Sequence, residues 1–372
     1  MPRLLILADY APNVVARASN AQLGYTEMMQ KLHSTVYDRS KYLLKHFGDL
    51  GYEAIELAPN APLIQAAWAR ENNISLNKPF ISHEKQRFGR LAINKITNTH
   101  VFGSLSPQLQ SITLAQIKAL RPDVILATNV TAFSPSVLRE MRQYCRFFIG
   151  ECGYPVPRVN WGLYDLILSC HPGFLANYCK QGAVGHFWPH AFEPAILGEL
   201  GSIEKTRGLV FCGFVGGRFS IYVERWRIVS ALSQHIPIEV YGAMRQVPKN
   251  LVPKPSVWGN EMYRMIGSAH ISLNVHGDKN GNFSSNMRMF ETTGIGTCML
   301  TEATSNLDYF FVPDVEVATF KSIDECVEKA KWLLEHPEEC TKIGKAGQKR
   351  TLKDHTLKQR VQELDQIIRQ KL

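Results

Sequence analysis

The chain has 372 residues, 45% of them hydrophobic and 20% charged, a composition typical of globular domains and a length suited to two α/β domains of ordinary size. The formal charge of +9 is dispersed: residues 1–200 carry 19 Lys and Arg against 14 Asp and Glu, a net +5, and the remainder carries +4. An even spread argues against a nucleic-acid groove and fits anionic small ligands, or an anionic membrane surface beside a lipid-linked acceptor.

No apolar run approaches the roughly eighteen residues needed to span a bilayer. The opening run Leu4 to Ala8 is far shorter than a secretion signal and is followed at once by Asp9. The eight cysteines (145, 152, 170, 179, 212, 298, 326 and 340) contain no Cys-x-x-Cys pair. They read as reduced core thiols with no metal cluster. A cytoplasmic address is expected, with peripheral attachment to the inner membrane face as its extension.

In chain order, Leu4 to Leu7 reads as a strand, Tyr25 to Leu50 as helical, Glu53 to Leu57 as a strand and Leu63 to Glu71 as a helix, which is the βαβ rhythm. Thr113 to Leu120 predicts a helix, ended by Arg121-Pro122-Asp123. Val124 to Ala127, Phe147 to Gly150 and Leu166 to Ser169 predict buried strands, and Phe174 to Gln181 a helix stopped at Gly182. Periodicity lapses between Pro189 and Ser202, which places a domain boundary there.

A second alternation follows: strands at Leu209 to Phe214, Ile238 to Tyr241, Ile271 to Val275 and Thr297 to Thr301, with helices at Tyr222 to Gln234, Glu261 to Ser268 and Met287 to Thr293. From Ile323 the chain is helical, ending in a charged helix from Leu357. The expected organisation is α/β with two Rossmann-like domains facing a central cleft: residues 1–195, residues 205–350, and a terminal helix, 355–372, packing back towards the first.

The segment Ser284 to Gly296 is the richest in chemistry. Ser285 and Asn286 stand where they can cap a helix, and free N–H groups there can donate to diphosphate oxygens. Glu291, one turn in, can accept two hydrogen bonds from ribose hydroxyls. Arg288 lies on the same face. The same spacing also fits an exposed helical ion pair. In a second segment, Cys212 to Arg218, Gly216 and Gly217 let the backbone approach phosphate, and Arg218 can hold a diphosphate. Turn glycines and a solvated arginine would look the same. Arg225 and Arg227 lie further along the following helix.

Arg288 to Thr297 resembles the nucleotide-sugar motif of the GT-B glycosyltransferases, in particular the CgeB-like (spore-maturation) branch of the group-1 enzymes. Asn60 to Glu71, Pro189 to Pro194, and Gly344 to Arg360 with His355 and Arg360 agree with it. The resemblance implies that Glu291 matches the second, ribose-binding Glu of the Glu-x7-Glu motif. Phe283 stands at the first, so the resemblance carries neither that residue's contact to the transferred sugar nor the stereochemical outcome. Arg218 matches the basic residue that contacts the donor diphosphate, and Arg225 is a looser match to a second one. Residues 258–263 lie where the base is commonly held.

The implied activity is transfer of a sugar from a nucleotide diphosphate sugar to a glycan, lipid-linked or protein acceptor, in cell-surface polysaccharide or glycoconjugate assembly. Breaking the anomeric bond puts positive charge on the sugar and negative charge on the diphosphate, which fixed cations and backbone dipoles stabilise. No Asp-x-Asp triplet is present, so no metal and no cofactor are expected.

On the acceptor side, Glu151 follows a strand and can serve as a general base, or be an ordinary loop carboxylate. His171, His100 and Asp9 are weaker candidates. His276 and Asp278, near Asn274, can contact donor sugar or belong to a polar loop. Two other readings share these features: a nucleotide-sugar epimerase acting without acceptor, and a non-catalytic nucleotide-binding or scaffold protein.

Overall fold

The computed structural model describes residues 1–34, 39–74, 94, 95, 97–101, 103–218, 222–277 and 281–372. The elements of the first half are β1 (Arg3–Leu7), α1 (Pro12–Ala18), α2 (Tyr25–His33), α3 (Arg39–Asp49), β2 (Glu53–Leu57), α4 (Pro62–Glu71), α5 (Pro107–Leu120), β3 (Val124–Ala127), α6 (Pro135–Met141), β4 (Phe147–Glu151), β5 (Leu166–Ser169), α7 (Pro172–Lys180) and β6 (Gly185–Phe187). Then come α8 (Ala195–Leu200), β7 (Arg207–Cys212), α9 (Val223–His235), β8 (Ile238–Tyr241), α10 (Gly259–Gly267), β9 (Ala269–Asn274) and α11 (Arg288–Gly294). The chain closes with β10 (Cys298–Glu302), α12 (Leu307–Phe310), β11 (Ala318–Phe320), α13 (Ile323–Glu335), α14 (Pro337–Asp354) and α15 (Leu357–Arg369).

The chain divides into two compact units, one of residues 1–188 with 361–372 and the other of residues 189–360. The first holds a six-stranded sheet in the order β2-β1-β3-β4-β5-β6, the second a five-stranded sheet in the order β11-β10-β9-β7-β8. Every strand pair is parallel. Parallel strands are covered on both faces, which is why Val124 to Ala127 is buried throughout and reads as an uninterrupted apolar run. Burying each such Leu, Ile or Val contributes about 1.5–3 kcal/mol.

In the first sheet β2 lies on one side of β1 and β3 on the other; in the second, β8 and β9 flank β7 in the same way. Each reversal is a topological switch point, and the crevice at the carboxyl ends of those strands is where such sheets take ligands. The last residues of the chain belong to the first unit: Tyr52 Oη donates to Asp365 Oδ1 at 2.7 Å and Arg369 Nη2 to the Leu50 carbonyl at 2.8 Å.

Several elements differ from the sequence expectation for one shared reason. Pro12, Pro62, Pro107, Pro135, Pro172 and Pro337 each sit in the first turn of a helix. There the missing N–H has no partner to lose and the fixed φ favours the helix. Hence α1 and α6 went unread, α5 starts earlier than Thr113, and the helical tail is three helices. Strand β6 is short and without a buried residue, so it lacks an apolar signature. Cys152, Cys298, Cys326 and Cys340 are buried, but Cys179 is exposed on α7, which corrects the core reading for that thiol.

Candidate functional site

The second switch point collects most of the residues singled out above. After β7 the chain runs through Gly213 to Arg218, and Gly216 has φ +74°, a conformation glycine adopts without strain. The turn is held against the loop after β8, where Arg245 N–H donates to the Gly216 carbonyl at 2.9 Å. Gly242 in that loop lies so close that a Cβ would stand 2.1 Å from the Gly213 carbonyl oxygen. Arg225, from α9, ties the two loops of the crevice together. Its Nη1 donates to the Phe214 carbonyl at 2.7 Å and its Nη2 to the Val275 carbonyl at 2.8 Å, and the guanidinium stacks 4.7 Å from the Tyr222 ring centroid.

Arg218 is exposed, with its guanidinium 5.4 Å above the Trp226 ring. Among the described residues no carboxylate pairs with it. Gly217 packs on Gln246, whose Oε1 accepts from the Arg218 N–H at 3.3 Å. Arg227, by contrast, pairs with Glu224 on an exposed helix face.

Helix α11 begins beside the end of β9. Asn286 Nδ2 donates to Asn274 Oδ1 at 2.8 Å, and its Oδ1 accepts from the Met289 N–H at 3.3 Å. Asn274 Nδ2 in turn donates to Thr301 Oγ1 at 3.0 Å. Ser284 N–H donates to Asn306 Oδ1 at 2.7 Å, and Ser285 is buried.

Glu291 is only 4% exposed. Its Oε2 lies 2.8 Å from Arg288 Nη1, and Tyr263 Oη from α10 donates to Oε1 at 3.4 Å. The pair exists, but it is not the exposed helical pair that spacing also allowed. A buried carboxylate needs compensation, and Arg288 supplies it.

The glycines after Glu291 are explained by packing. A Cβ on Gly294 would stand 2.3 Å from the Phe192 ring, and one on Gly344 2.5 Å from the Gly296 carbonyl oxygen. Thr293 and Thr351 share a hydroxyl hydrogen bond of 2.6 Å. Thus Pro189 to Pro194, Arg288 to Thr297 and Gly344 to Arg360, far apart in sequence, form one packed body beneath the crevice. Trp258 is exposed at the start of α10; Glu261 lines a groove with Arg207, Tyr241 and Arg264.

His276, after β9, is 4% exposed. Its backbone N–H and Nδ1 both meet Glu302 Oε2, at 2.7 and 2.9 Å. Nothing in the sequence pointed to Glu302, the residue ending β10. Asp278 lies outside the described residues.

In the first unit a cavity of about 620 Å³ opens at the switch point between β1 and β3. Asp9, Asn60, Ser104 and Asn129 supply polar groups to its lining, and Val15 and Leu63 apolar ones. Asn129 Nδ2 donates to Asp9 Oδ2 at 2.8 Å. Glu151, at the end of β4, is outside this lining. Arg39 takes its carboxylate in a bidentate pair, Nη1 to Oε1 at 2.9 Å and Nη2 to Oε2. His171 caps α7, its Nδ1 accepting from the Phe174 N–H at 3.1 Å. His100 is buried, which holds its pKa below the ordinary histidine value.

No helix of the described residues is long and apolar enough to cross a membrane. Residues 225–366 match the family described as glycosyl transferase-like. Among solved structures, the chain is similar to the sucrose-phosphate synthase of Thermosynechococcus elongatus, at 10% identity over 100% of this chain and 99% of that one, with a TM-score of 0.58. It is similar to a glycosyltransferase of Rickettsia africae, at 9% identity over 99% and 98%, TM-score 0.58. It is also similar to Anabaena Alr3699/HepE, solved in complex with UDP and glucose, at 9% identity over the whole of both chains, TM-score 0.60. No curated protein matches the chain. Two parallel sheets with full-length likeness to such structures give the chain the GT-B fold, and its residues 225–366 carry the glycosyl transferase-like match.

Proposed function

We propose that the protein transfers a sugar from a nucleoside diphosphate sugar, held by the second unit, to a hydroxyl of a glycan acceptor held by the first. The observation that carries the reading is the buried Glu291, paired with Arg288 at 2.8 Å near Cys212 at the carboxyl end of β7. Glu291 binds the ribose hydroxyls, with Arg288, Asn286 and Ser285 positioning it. Arg218 faces the diphosphate across the Gly216-Gly217 turn, and Arg225 holds the two loops that shape the crevice. As the anomeric bond breaks, charge grows on the departing diphosphate; Arg218 and backbone N–H groups stabilise it without a divalent ion.

The 620 Å³ cavity is the acceptor site in this reading. Its mixed lining suits a sugar, whose ring has both polar and apolar faces. Asp9, oriented by Asn129, is the carboxylate within it. Glu151 is the alternative base and is reached only if Arg39 releases it. Glycolipid and CgeB-like assignments extend the same reading: the dispersed basic charge favours an anionic acceptor surface.

A thermal-shift panel of UDP, GDP, ADP, CMP and dTDP, with and without divalent metal, tests the donor site, because a ligand that binds only the folded state raises its apparent stability. One nucleoside diphosphate should stabilise the wild type without metal and leave Glu291→Ala unmoved. Equal stabilisation of both would remove Glu291 from the donor site.

A further inference from the structure

Among the described residues, a buried polar atom beside the second switch point has no hydrogen-bond partner. His276 Nε2 has no hydrogen-bond partner among the described residues, although the residue is 4% exposed. Leaving a buried acceptor or donor unpaired costs its full desolvation, and nearly all such atoms in folded proteins find a partner.

The ring is held firmly. Glu302 Oε2 takes both the His276 backbone N–H and Nδ1, at 2.7 and 2.9 Å. A carboxylate oxygen accepts, so Nδ1 must carry the hydrogen. In the neutral ring Nε2 is then a bare lone pair, on the side of the imidazole away from Glu302. It seeks a donor. A phosphate oxygen has no hydrogen to offer, whereas an alcohol O–H does.

Position narrows the choice. His276 follows Val275, whose carbonyl Arg225 grips at 2.8 Å, and Asn274, which binds Asn286 at the start of α11. The ring therefore spans the ends of β9 and β10, next to the switch point between β7 and β9. Glu302, its partner through Nδ1, ends β10 and leaves Nε2 as the ring nitrogen without a partner among the described residues.

We infer that His276 is a specificity-determining residue, accepting at Nε2 a hydrogen bond from a hydroxyl of the sugar carried on the nucleotide. The inference rests on the donor reading above and deepens it from nucleotide to sugar. Glu302 is its positioning residue, fixing the tautomer that makes Nε2 an acceptor.

The test compares two ligands on two proteins by calorimetry: the nucleoside diphosphate that binds best among UDP, GDP and dTDP, and its glucose or mannose conjugate. His276→Ala should weaken the conjugate roughly tenfold, the equivalent of one net hydrogen bond, and leave the bare nucleotide within twofold. Equal weakening of both would place His276 at the nucleoside, and no weakening of either would mean that a bound water satisfies it; each overturns the inference.

Nitrogen-15 histidine spectra of the wild type give a second reading that needs no stable variant. Hydrogen on Nδ1 is expected, with the bare Nε2 resonance moving on adding the conjugate but not the nucleotide. Hydrogen on Nε2 instead would overturn it. If no nucleotide binds the wild type at all, the donor reading fails first and this inference falls with it.

Discussion

Arg360 Nη2 lies 3.2 Å from His355 Nδ1, while the other ring nitrogen, Nε2, donates to the Phe310 carbonyl at 3.0 Å. One donates and the other accepts only if the imidazole is neutral. Phe290, Phe310 and Phe311 surround the ring, with centroids 5.3 to 5.8 Å away. Burial, with the positive charges of Arg360 and Arg350, lowers its pKa to about 4 against the pull of Asp354.

The pH consequence follows from the sign. Between the unfolded value near 6.5 and the folded value near 4, the unfolded chain binds a proton that the folded one refuses. Stability is therefore fully present above pH 6.5 and is lost as pH falls through this window, by up to about 1.4 kcal/mol per unit. Urea unfolding at pH 7 and pH 5 should show a larger loss for the wild type than for His355→Gln. Parallel losses would show that the ring titrates normally.

Glu291→Ala should weaken nucleoside diphosphate binding by about 1–3 kcal/mol, the range for hydrogen bonds to a charged group. It also removes the carboxylate that pairs with Arg288. Arg288→Met in the Glu291→Ala background separates the two effects: stability should recover and affinity should not. Calorimetric affinities beside melting curves decide it.

Arg218 and Arg225 should behave differently on substitution. Arg218→Ala is expected to lower turnover by more than it lowers donor affinity, because it acts on charge that develops in the transition state. Arg225→Ala is expected to destabilise the fold by about 1–3 kcal/mol, since two main-chain carbonyls lose a charged donor. Steady-state kinetics and urea unfolding on both variants check this. A stable Arg225→Ala with lost turnover would move it into the chemistry.

Glu151→Gln separates the two acceptor-side carboxylates. The Arg39 pair is weakened but the side chain keeps its shape, so turnover should fall by less than about threefold, while Asp9→Asn lowers it by about 100-fold or more if Asp9 takes the acceptor proton. The reverse order would make Glu151 the base.

Gly242→Ala should cost about 2 kcal/mol or more, because φ is +151° and the new methyl would lie 2.1 Å from the Gly213 carbonyl oxygen. Loss of stability is expected together with weakened nucleotide binding, since the displaced loop carries Gly216 and Arg218. Gly48→Ala, with no atom near its Cβ position, is the control.

The sequence by itself carried the βαβ rhythm of both halves, because parallel strands covered on both faces are uninterrupted apolar runs such as Val124 to Ala127. It also carried Glu291 and Arg288, since helical spacing is local. Helices led by Pro12 and Pro135 were hidden because a proline marks a helix start and a chain break with the same letter. Only the tertiary structure decided what surrounds each charge. The Arg39 partner of Glu151 is 112 positions away, and the Glu302 partner of His276 comes from a different strand, 26 positions on. Such pairings depend on which strand ends the sheet brings together, and no local pattern records them.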